Sequence, residues 1–159
     1  MSNETISRRV FEVLLKHLVD MEEMRGQLLD RYYPDITRER EMFENLLSAY
    51  MEMIEQYINS AKIADNVEDT CPFIIIGSIV EIENLDDNGI ETYQIVSPFE
   101  SGMHSVIDSA SFLSPFGKEL ILKKRMDRVT IENSAGQYNY VVRSINIPDE
   151  MLSFTQKEG

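Results

Sequence analysis

The sequence predicts an α+β protein in which a long helical hairpin precedes a β-rich domain. Apolar residues recur every three or four positions in two stretches of the first half, which is typical of amphipathic helices. After residue 70 the pattern changes to β-branched runs with a turn signal at Asn88-Gly89, which is typical of strands joined by a hairpin. With 159 residues and 43% apolar content, the chain is long enough for one domain or two small ones.

The two periodic stretches run from about Ser7 to Asp30 and from about Ile36 to Lys62. Their apolar stripes consist of Val10, Val13, Leu14, Leu18, Met21, Met24 and Leu28 in the first stretch, and of Phe43, Leu46, Leu47, Tyr50, Ile54, Tyr57 and Ala61 in the second. Each arm would be roughly 35–40 Å long at the rise of an α-helix. Narrow stripes on two long neighbouring helices predict an antiparallel coiled coil. Such a hairpin cannot form a compact core alone, so it should project from another domain.

Proline and capping residues mark the ends of these helices. Pro34 must end the first helix because its ring blocks the helical hydrogen-bond pattern. Asp35 is expected to cap the second helix, and either Thr5 or Ser7 is expected to cap the first. The hairpin should therefore occupy residues 1–65.

The second domain is predicted at residues 73–150, after a polar linker at 66–72 and before a tail at 151–159. Its first strand is expected at Phe73–Glu83, and Asp86–Gly89 forms the turn to the next strand. The other predicted elements are a returning strand at Tyr93–Val96, a short helix over residues 116–122 opened by Ser114-Pro115, and closing strands at Arg128–Glu132 and Tyr138–Ile147. The sequence thus predicts a mostly antiparallel sheet with one short helix.

Charge and composition exclude several classes of protein. The chain has 28 acidic and 15 basic residues, a net charge of −13 that opposes binding to duplex DNA or anionic lipid. A single cysteine, Cys71, excludes an internal disulfide, and two histidines, His17 and His104, make a zinc site improbable. No apolar run approaches the roughly 18 residues of a membrane span, and the first residues do not resemble a signal peptide. We therefore expect a cytoplasmic protein that binds no membrane and no specific DNA sequence.

Short motifs follow one another in order through the second domain. They are Ile76-Gly77-Ser78-Ile79-Val80, Tyr93-Gln94-Ile95-Val96, Ser111 to Leu120, Met126-Asp127-Arg128-Val129, and the closing Gly136, Tyr140-Val141-Val142 and Ile145. In their order and spacing, they resemble the bacterial Gre transcript-cleavage factors, GreA and GreB. These motifs cover nearly the whole domain. The resemblance implies an FKBP-like half-barrel around a short helix.

The same resemblance implies RNA polymerase as the partner. In the family, this domain docks on a coiled coil of the largest subunit at the rim of the secondary channel, and the helical hairpin enters the channel. The resemblance places the docking surface at Ser111, Ser114, Pro115, Phe116, Gly117 and Lys118, beside the loop Pro98–His104. The factor would act as a monomer.

The chemistry of the family lies at the hairpin tip, where an Asp and a Glu help to hold the second Mg²⁺ of the polymerase. Asp35 matches the family aspartate, but Arg38 stands at the second acidic position, where its charge would repel a cation. Glu39 and Glu41 are the remaining candidates. The hairpin is also shorter than in the family by about one turn per arm, roughly 5 Å of reach. No cofactor or metal of the chain's own is expected, only indirect contact with the polymerase Mg²⁺.

These departures predict a regulator of elongation without strong cleavage stimulation, similar to Rnk-type relatives with a shortened coiled coil. No enzymatic activity is expected, because the resemblance implies a factor that donates ligands to the polymerase and carries no complete active site of its own. Tyr32 and Tyr33 at the tip are expected to contact the partner. Three alternatives remain open. They are an active cleavage factor using Asp35 with Glu39 or Glu41, an FKBP-like prolyl isomerase or peptide-binding protein, and an adaptor whose hairpin dimerises.

Overall fold

A computed structural model describes residues 5–96 and 108–156, and the chain divides into two compact units, Met1–Val67 and Glu68–Gly159. The first unit contains two long helices and a two-stranded sheet, and the second contains a five-stranded sheet and two shorter helices. The predicted α+β class is confirmed. The loop Pro98–His104, expected beside the docking surface, lies outside the described residues.

The hairpin is closed at its base by a small parallel sheet. The first unit consists of β1 (Thr5–Ser7), α1 (Arg8–Tyr32), α2 (Arg38–Ser60) and β2 (Lys62–Ala64). Strands β1 and β2 pair in parallel, with Ile6 opposite Ile63. Ser7 also caps α1, because its side chain accepts a hydrogen bond from the Val10 amide at 3.1 Å. The strands were not predicted because three residues are too few to show an alternating pattern.

Most of the predicted apolar stripe is buried between the helices. The buried residues are Val10, Val13, Leu14, Met21, Leu28 and Leu29 of α1, and Phe43, Leu47, Tyr50, Met51 and Ile54 of α2. The prediction was wrong for Met24, which is 43% exposed. A straight helix drifts relative to a seven-residue repeat, so Arg25 faces α2 instead and donates to Ser48 Oγ at 2.5 Å.

A histidine and a tyrosine contact each other across the hairpin. His17 Nε2 lies 2.7 Å from Tyr50 Oη, and the two rings meet edge to face at 5.7 Å between centroids. Burial lowers the pKa of His17 to about 4; the charge of Asp20 opposes this shift and that of Lys16 adds to it. The imidazole is therefore neutral at pH 7, and its protonation favours unfolding.

We expect His17 to give the hairpin an acid-sensitive stability. The contribution of the neutral ring is fully present above pH 6.5, the pKa of an unperturbed histidine, and is lost as the pH falls towards 4. The loss should approach about 3 kcal/mol, at roughly 1.4 kcal/mol per pKa unit. Thermal unfolding followed by circular dichroism between pH 7.5 and 4 should show this slope in the wild type and in Tyr50→Phe, which keeps the ring buried. The slope should be much smaller in His17→Gln, and equal slopes in all three proteins would contradict the assignment.

The second unit is built on a five-stranded sheet in the order β5-β4-β3-β7-β6. Its strands are β3 (Ile79–Asn84), β4 (Ile90–Val96), β5 (Asp108–Ser111), β6 (Arg128–Asn133) and β7 (Gly136–Asn146). All neighbours are antiparallel except β4 and β5, which pair in parallel. The predicted turn after β3 is confirmed, with Asn88 at a φ of 63° and its amide bonded to the Asn84 carbonyl at 2.7 Å.

The first strand of this sheet starts later than predicted. Residues 73–76 are buried but lie outside the ladder, because the backbone turns at Gly77, whose φ is +102°. Ser78 stabilises the turn: its Oγ accepts from the Ile75 amide at 3.2 Å and donates to the Ile75 carbonyl at 2.7 Å. Ile74 instead bonds Leu122 and Lys123 through its backbone. A run of buried β-branched residues is therefore not by itself evidence of a strand.

Two helices complete the second unit. Helix α3 (Pro115–Leu120) begins where predicted, ends before the predicted residue 122, and packs against β5 and β6. Helix α4 (Asp149–Gln156) was not predicted, and it crosses residue 151, where a tail was expected to begin. The description as FKBP-like fits this domain only loosely. Within residues 5–96 and 108–156, no helix combines the length and apolarity that crossing a membrane requires.

Candidate functional site

The turn before α3 is held by two serines and a glycine. Ser114 Oγ accepts from the Gly117 amide at 3.0 Å and donates to the Ser111 carbonyl at 2.8 Å. Ser111 Oγ in turn accepts from the Leu113 amide at 3.2 Å. A Cβ on Gly117 would lie 1.9 Å from the Ser111 carbonyl oxygen, so no other residue fits without moving the backbone. These three residues shape the surface.

Two of the six predicted docking residues face solvent fully. Pro115 and Lys118 are exposed on α3, whereas Ser111, Ser114 and Phe116 are half-buried and Gly117 is buried. The Phe116 ring packs between Tyr93, edge to face at 4.7 Å, and Tyr140 at 6.0 Å. The structure thus brings all six residues onto one turn and one short helix, where four of them support the two that are exposed.

Acidic side chains surround this aromatic cluster, and the sequence analysis did not identify them. Tyr93 Oη donates to Glu91 Oε1 at 2.7 Å. Burial raises the pKa of Tyr93 well above its usual range, and Glu91 and Asp108 add to the shift. Burial, with the charge of Glu91 and others, also raises the pKa of Tyr140. Glu91 and Tyr93 are two residues apart on β4, so their side chains lie on the same face of the strand. This spacing was the signal in the sequence that could have identified the pair.

The hairpin tip departs from the predicted capping pattern. Helix α2 begins at Arg38 and is capped by Thr37, whose Oγ1 accepts from the Arg40 amide at 3.2 Å. The prediction that Asp35 caps this helix was wrong. Asp35 precedes the true cap by two residues, too early for its side chain to accept from the first turn. It lies exposed in the bend between the helices, beside Ile36, which is 98% exposed.

The three predicted tip carboxylates do not converge. Asp35, Glu39 and Glu41 are all exposed, and Glu39 and Glu41 are about 200° apart around α2. In the described parts of the chain, no group of three or more His, Cys, Asp or Glu side chains could hold a metal ion. Of the two tip tyrosines, Tyr32 is 36% exposed, while Tyr33 is half-buried with its ring 5.1 Å from that of Phe43.

The second unit matches a described family of transcription factors. Residues 69–147, nearly all of the domain, match the family described as "Transcription elongation factor, GreA/GreB, C-term". The chain belongs to the GreA/GreB family. It is therefore a transcription elongation factor.

The curated relatives extend this likeness beyond the second unit. The chain is 24% identical to transcription elongation factor GreA of Desulfotalea psychrophila over 131 residues, 82% of this chain and 78% of the relative. It is 27% identical to GreA of Desulfovibrio desulfuricans over 121 residues, covering 76% and 72% of the two chains. With GreA of Thermosipho africanus it shares 31% identity over 101 residues, covering 64% and 62%.

Solved structures of similar proteins include two from this group. GreA factor homolog 1 (Gfh1) of Thermus thermophilus is 20% identical, with a TM-score of 0.42, covering 91% of this chain and 99% of that one. A transcription elongation factor GreA/GreB from Nitrosomonas europaea is 15% identical, with a TM-score of 0.46 and coverage of 92% and 99%. At these identities and scores the likeness carries no functional information.

One expectation from the sequence is overturned by the comparisons. No enzymatic activity was predicted, because a factor that donates ligands to the polymerase would carry no complete active site of its own, but this prediction was wrong. The matched relatives are named GreA, and GreA is a factor that stimulates transcript cleavage. The comparisons point to a cleavage-stimulating factor.

We expect Gly117→Ala to unfold the second unit more easily. The added methyl group would overlap the Ser111 carbonyl, and relieving that overlap should cost about 2–4 kcal/mol of unfolding free energy. Gly26→Ala is the matched control, because a Cβ there meets nothing within 4 Å. Within helix α1 that change should stabilise by about 0.5–1 kcal/mol. Urea denaturation of both variants measures the difference, and similar midpoints for the two would show that the close approach at Gly117 is not restrictive.

Proposed function

We propose that this chain acts at the secondary channel of RNA polymerase, docking through its second unit and directing the hairpin tip towards the active centre. The supporting observation is the α3 turn, which lies inside the family match and presents Pro115 and Lys118 to solvent. By the family resemblance, the docking partner would be the coiled coil of the largest subunit at the channel rim. The factor would act there as a monomer, in the cytoplasm where the polymerase works.

Charge supports a specific mode of docking. The chain carries a net charge of −13, and Glu91 and Asp108 lie close enough to Tyr93 to perturb its pKa. This acidic surface favours basic groups on the partner, while Lys118 is an exposed cation in the last turn of α3. The acidic surface and Lys118 would each face an opposite charge on the partner. These pairs would orient the complex and speed its formation.

The docking surface is tested by reversing one charge. We expect Lys118→Glu to weaken binding to core RNA polymerase by about tenfold, because it places repulsion inside the contact. Lys124→Glu is the matched control, since Lys124 is also exposed and lies in the same unit, after α3. Titration of labelled protein with core polymerase gives both dissociation constants. Equal weakening by the two variants would indicate general electrostatics, and no weakening by Lys118→Glu would place docking elsewhere.

At the tip, Asp35 is the carboxylate best suited to reach a metal of the polymerase. It is exposed and not engaged in capping α2, and carboxylate oxygens are preferred ligands of Mg²⁺. The polymerase-bound Mg²⁺ would supply activation of water for attack on the RNA phosphodiester. Asp35 would bind and orient that ion, and either Glu39 or Glu41 would assist, because their angular separation prevents both from doing so.

We propose that cleavage stimulation is present but weak. The guanidinium of Arg38 is exposed at the first residue of α2, only three residues from Asp35, where it opposes cation binding. The length of the hairpin is a second restriction on cleavage stimulation. Helix α1 contains 25 residues and α2 contains 23, so each arm is roughly 35 Å long. Charge and reach can be separated experimentally.

We expect Arg38→Glu to raise transcript cleavage in backtracked complexes several-fold if charge is limiting, because it exchanges repulsion for a ligand. If reach is limiting, that variant should match the wild type, and lengthening both arms by one heptad should raise cleavage instead. Asp35→Asn should abolish the residual stimulation in either case. Glu52→Gln, an exposed neutralisation on α2 far from the tip in sequence, is the control. Strong cleavage by the wild type that survives Asp35→Asn would contradict the role of Asp35.

A further inference from the structure

Arg40 joins the two ends of the hairpin tip. Its Nη1 donates to the carbonyl oxygen of Tyr33 at 2.7 Å, and its Nη2 lies 3.3 Å from Asp30 Oδ1. Its own amide donates to the cap residue Thr37. One side chain at the start of α2 therefore contacts both the last turn of α1 and the residue that follows α1. The Arg40 side chain is only 25% exposed, unlike that of Asp30, which is 78% exposed.

The position of the Tyr33 carbonyl explains why an arginine is suited to this place. Tyr33 is the C-cap of α1, so its carbonyl is among those at the helix end without an intrahelical partner. A cation there satisfies the acceptor and interacts favourably with the negative end of the helix dipole. The planar guanidinium can donate to two acceptors at fixed angles, which a lysine cannot do.

The tip loop is held on its other side by aromatic packing. The Tyr33 ring stacks on Phe43 of α2 with centroids 5.1 Å apart, and the Tyr33 amide donates to the Leu29 carbonyl at 2.8 Å. Tyr33 is thus fixed through its ring, its amide and its carbonyl. The exposed residues Pro34, Asp35 and Ile36 lie between this anchor and the Thr37 cap.

We propose that Arg40 is a positioning residue that closes the tip and holds Asp35 in one place. Arg40 acts through Tyr33 and Asp30 and does not touch the reacting groups. A short loop anchored at both ends loses its conformational freedom before the tip reaches its target, so little ordering remains to be done there. The closure is a property of the free chain. Its consequence for cleavage rests on the function proposed above.

The first test compares two arginines of the same helical turn. Arg40→Gln and Arg38→Gln each remove one positive charge, but the side chain of Arg38 makes no hydrogen bond or ion pair with the described residues. If Arg40 acted only through its charge, the two variants would either both raise the cleavage rate or both leave it unchanged. Positioning predicts that Arg40→Gln lowers the plateau rate of cleavage at saturating factor about tenfold, with the half-saturating concentration unchanged. Arg38→Gln should not lower the plateau, and Arg40→Lys, which keeps one donor, should recover part of it.

The second test needs no polymerase. In the free protein, the amides of Arg40 and Glu41 are bonded to Thr37, so opening of the tip should expose them to solvent. We expect Arg40→Gln to speed amide hydrogen exchange at these two residues about tenfold and Arg38→Gln to leave it unchanged. Exchange at Leu47 and Tyr50 in the middle of α2 should be the same in all proteins, which shows that the helix remains folded.

The two tests separate the possible failures. Unchanged exchange in Arg40→Gln would overturn the closure itself. Faster exchange with an unchanged cleavage plateau would overturn the positioning of Asp35. Exchange could also be faster in Arg40→Gln while the wild-type protein has no effect on polymerase. That result would support the closure and contradict the proposed function.

Discussion

The single apolar seam between α1 and α2 is the constraint on which the hairpin depends. Two helices bury only one face each, so the stripe that includes Leu14, Tyr50 and Ile54 must supply most of the packing along the arms. Two polar residues of α1 find partners across the seam. Arg25 bonds Ser48, and His17 bonds Tyr50. An unpaired polar group at these positions would weaken the only core that this unit has.

A seam of this kind leaves both ends of the hairpin open, and separate contacts close each one. At the base, β1 and β2 pair while Ser7 caps the first helix. At the tip, Arg40 ties the end of α1 to the start of α2. These contacts are made by polar side chains and backbone groups. The tip that they hold is small and exposed.

The second unit has a different requirement in the proposed function, in which it presents a contact surface on a rigid base. The Ser111 carbonyl accepts from the amide and the hydroxyl of Ser114 and leaves no room for a side chain at Gly117. Phe116 is held between two tyrosines. Pro115 and Lys118 are thereby fixed relative to the sheet. In the proposed function, docking and chemistry belong to different units, so each could be altered by mutation without the other.

Local signals in the sequence determined much of this protein. The spacing of apolar residues predicted both long helices, Pro34 predicted the break between them, and Asn88-Gly89 and Ser114-Pro115 predicted a turn and a helix start. The motifs from Ile76 to Ile145 indicated the family. Each of these features depends on residues that are neighbours in the chain, and such preferences can be inferred without a structure.

Only the tertiary structure decided where local preferences compete or where distant residues meet. Both Asp35 and Thr37 are suitable caps, and the geometry of the tip selected Thr37. Residues 73–76 resemble a strand, but Gly77 turns the chain away from the ladder, and Ile74 bonds the segment after α3 instead. The contact of Arg40 with Tyr33 and Asp30, and the acidic groups around Phe116, join residues that no short pattern connects. The sequence thus determined the elements and the family, whereas long-range contacts decided how the candidate site is held.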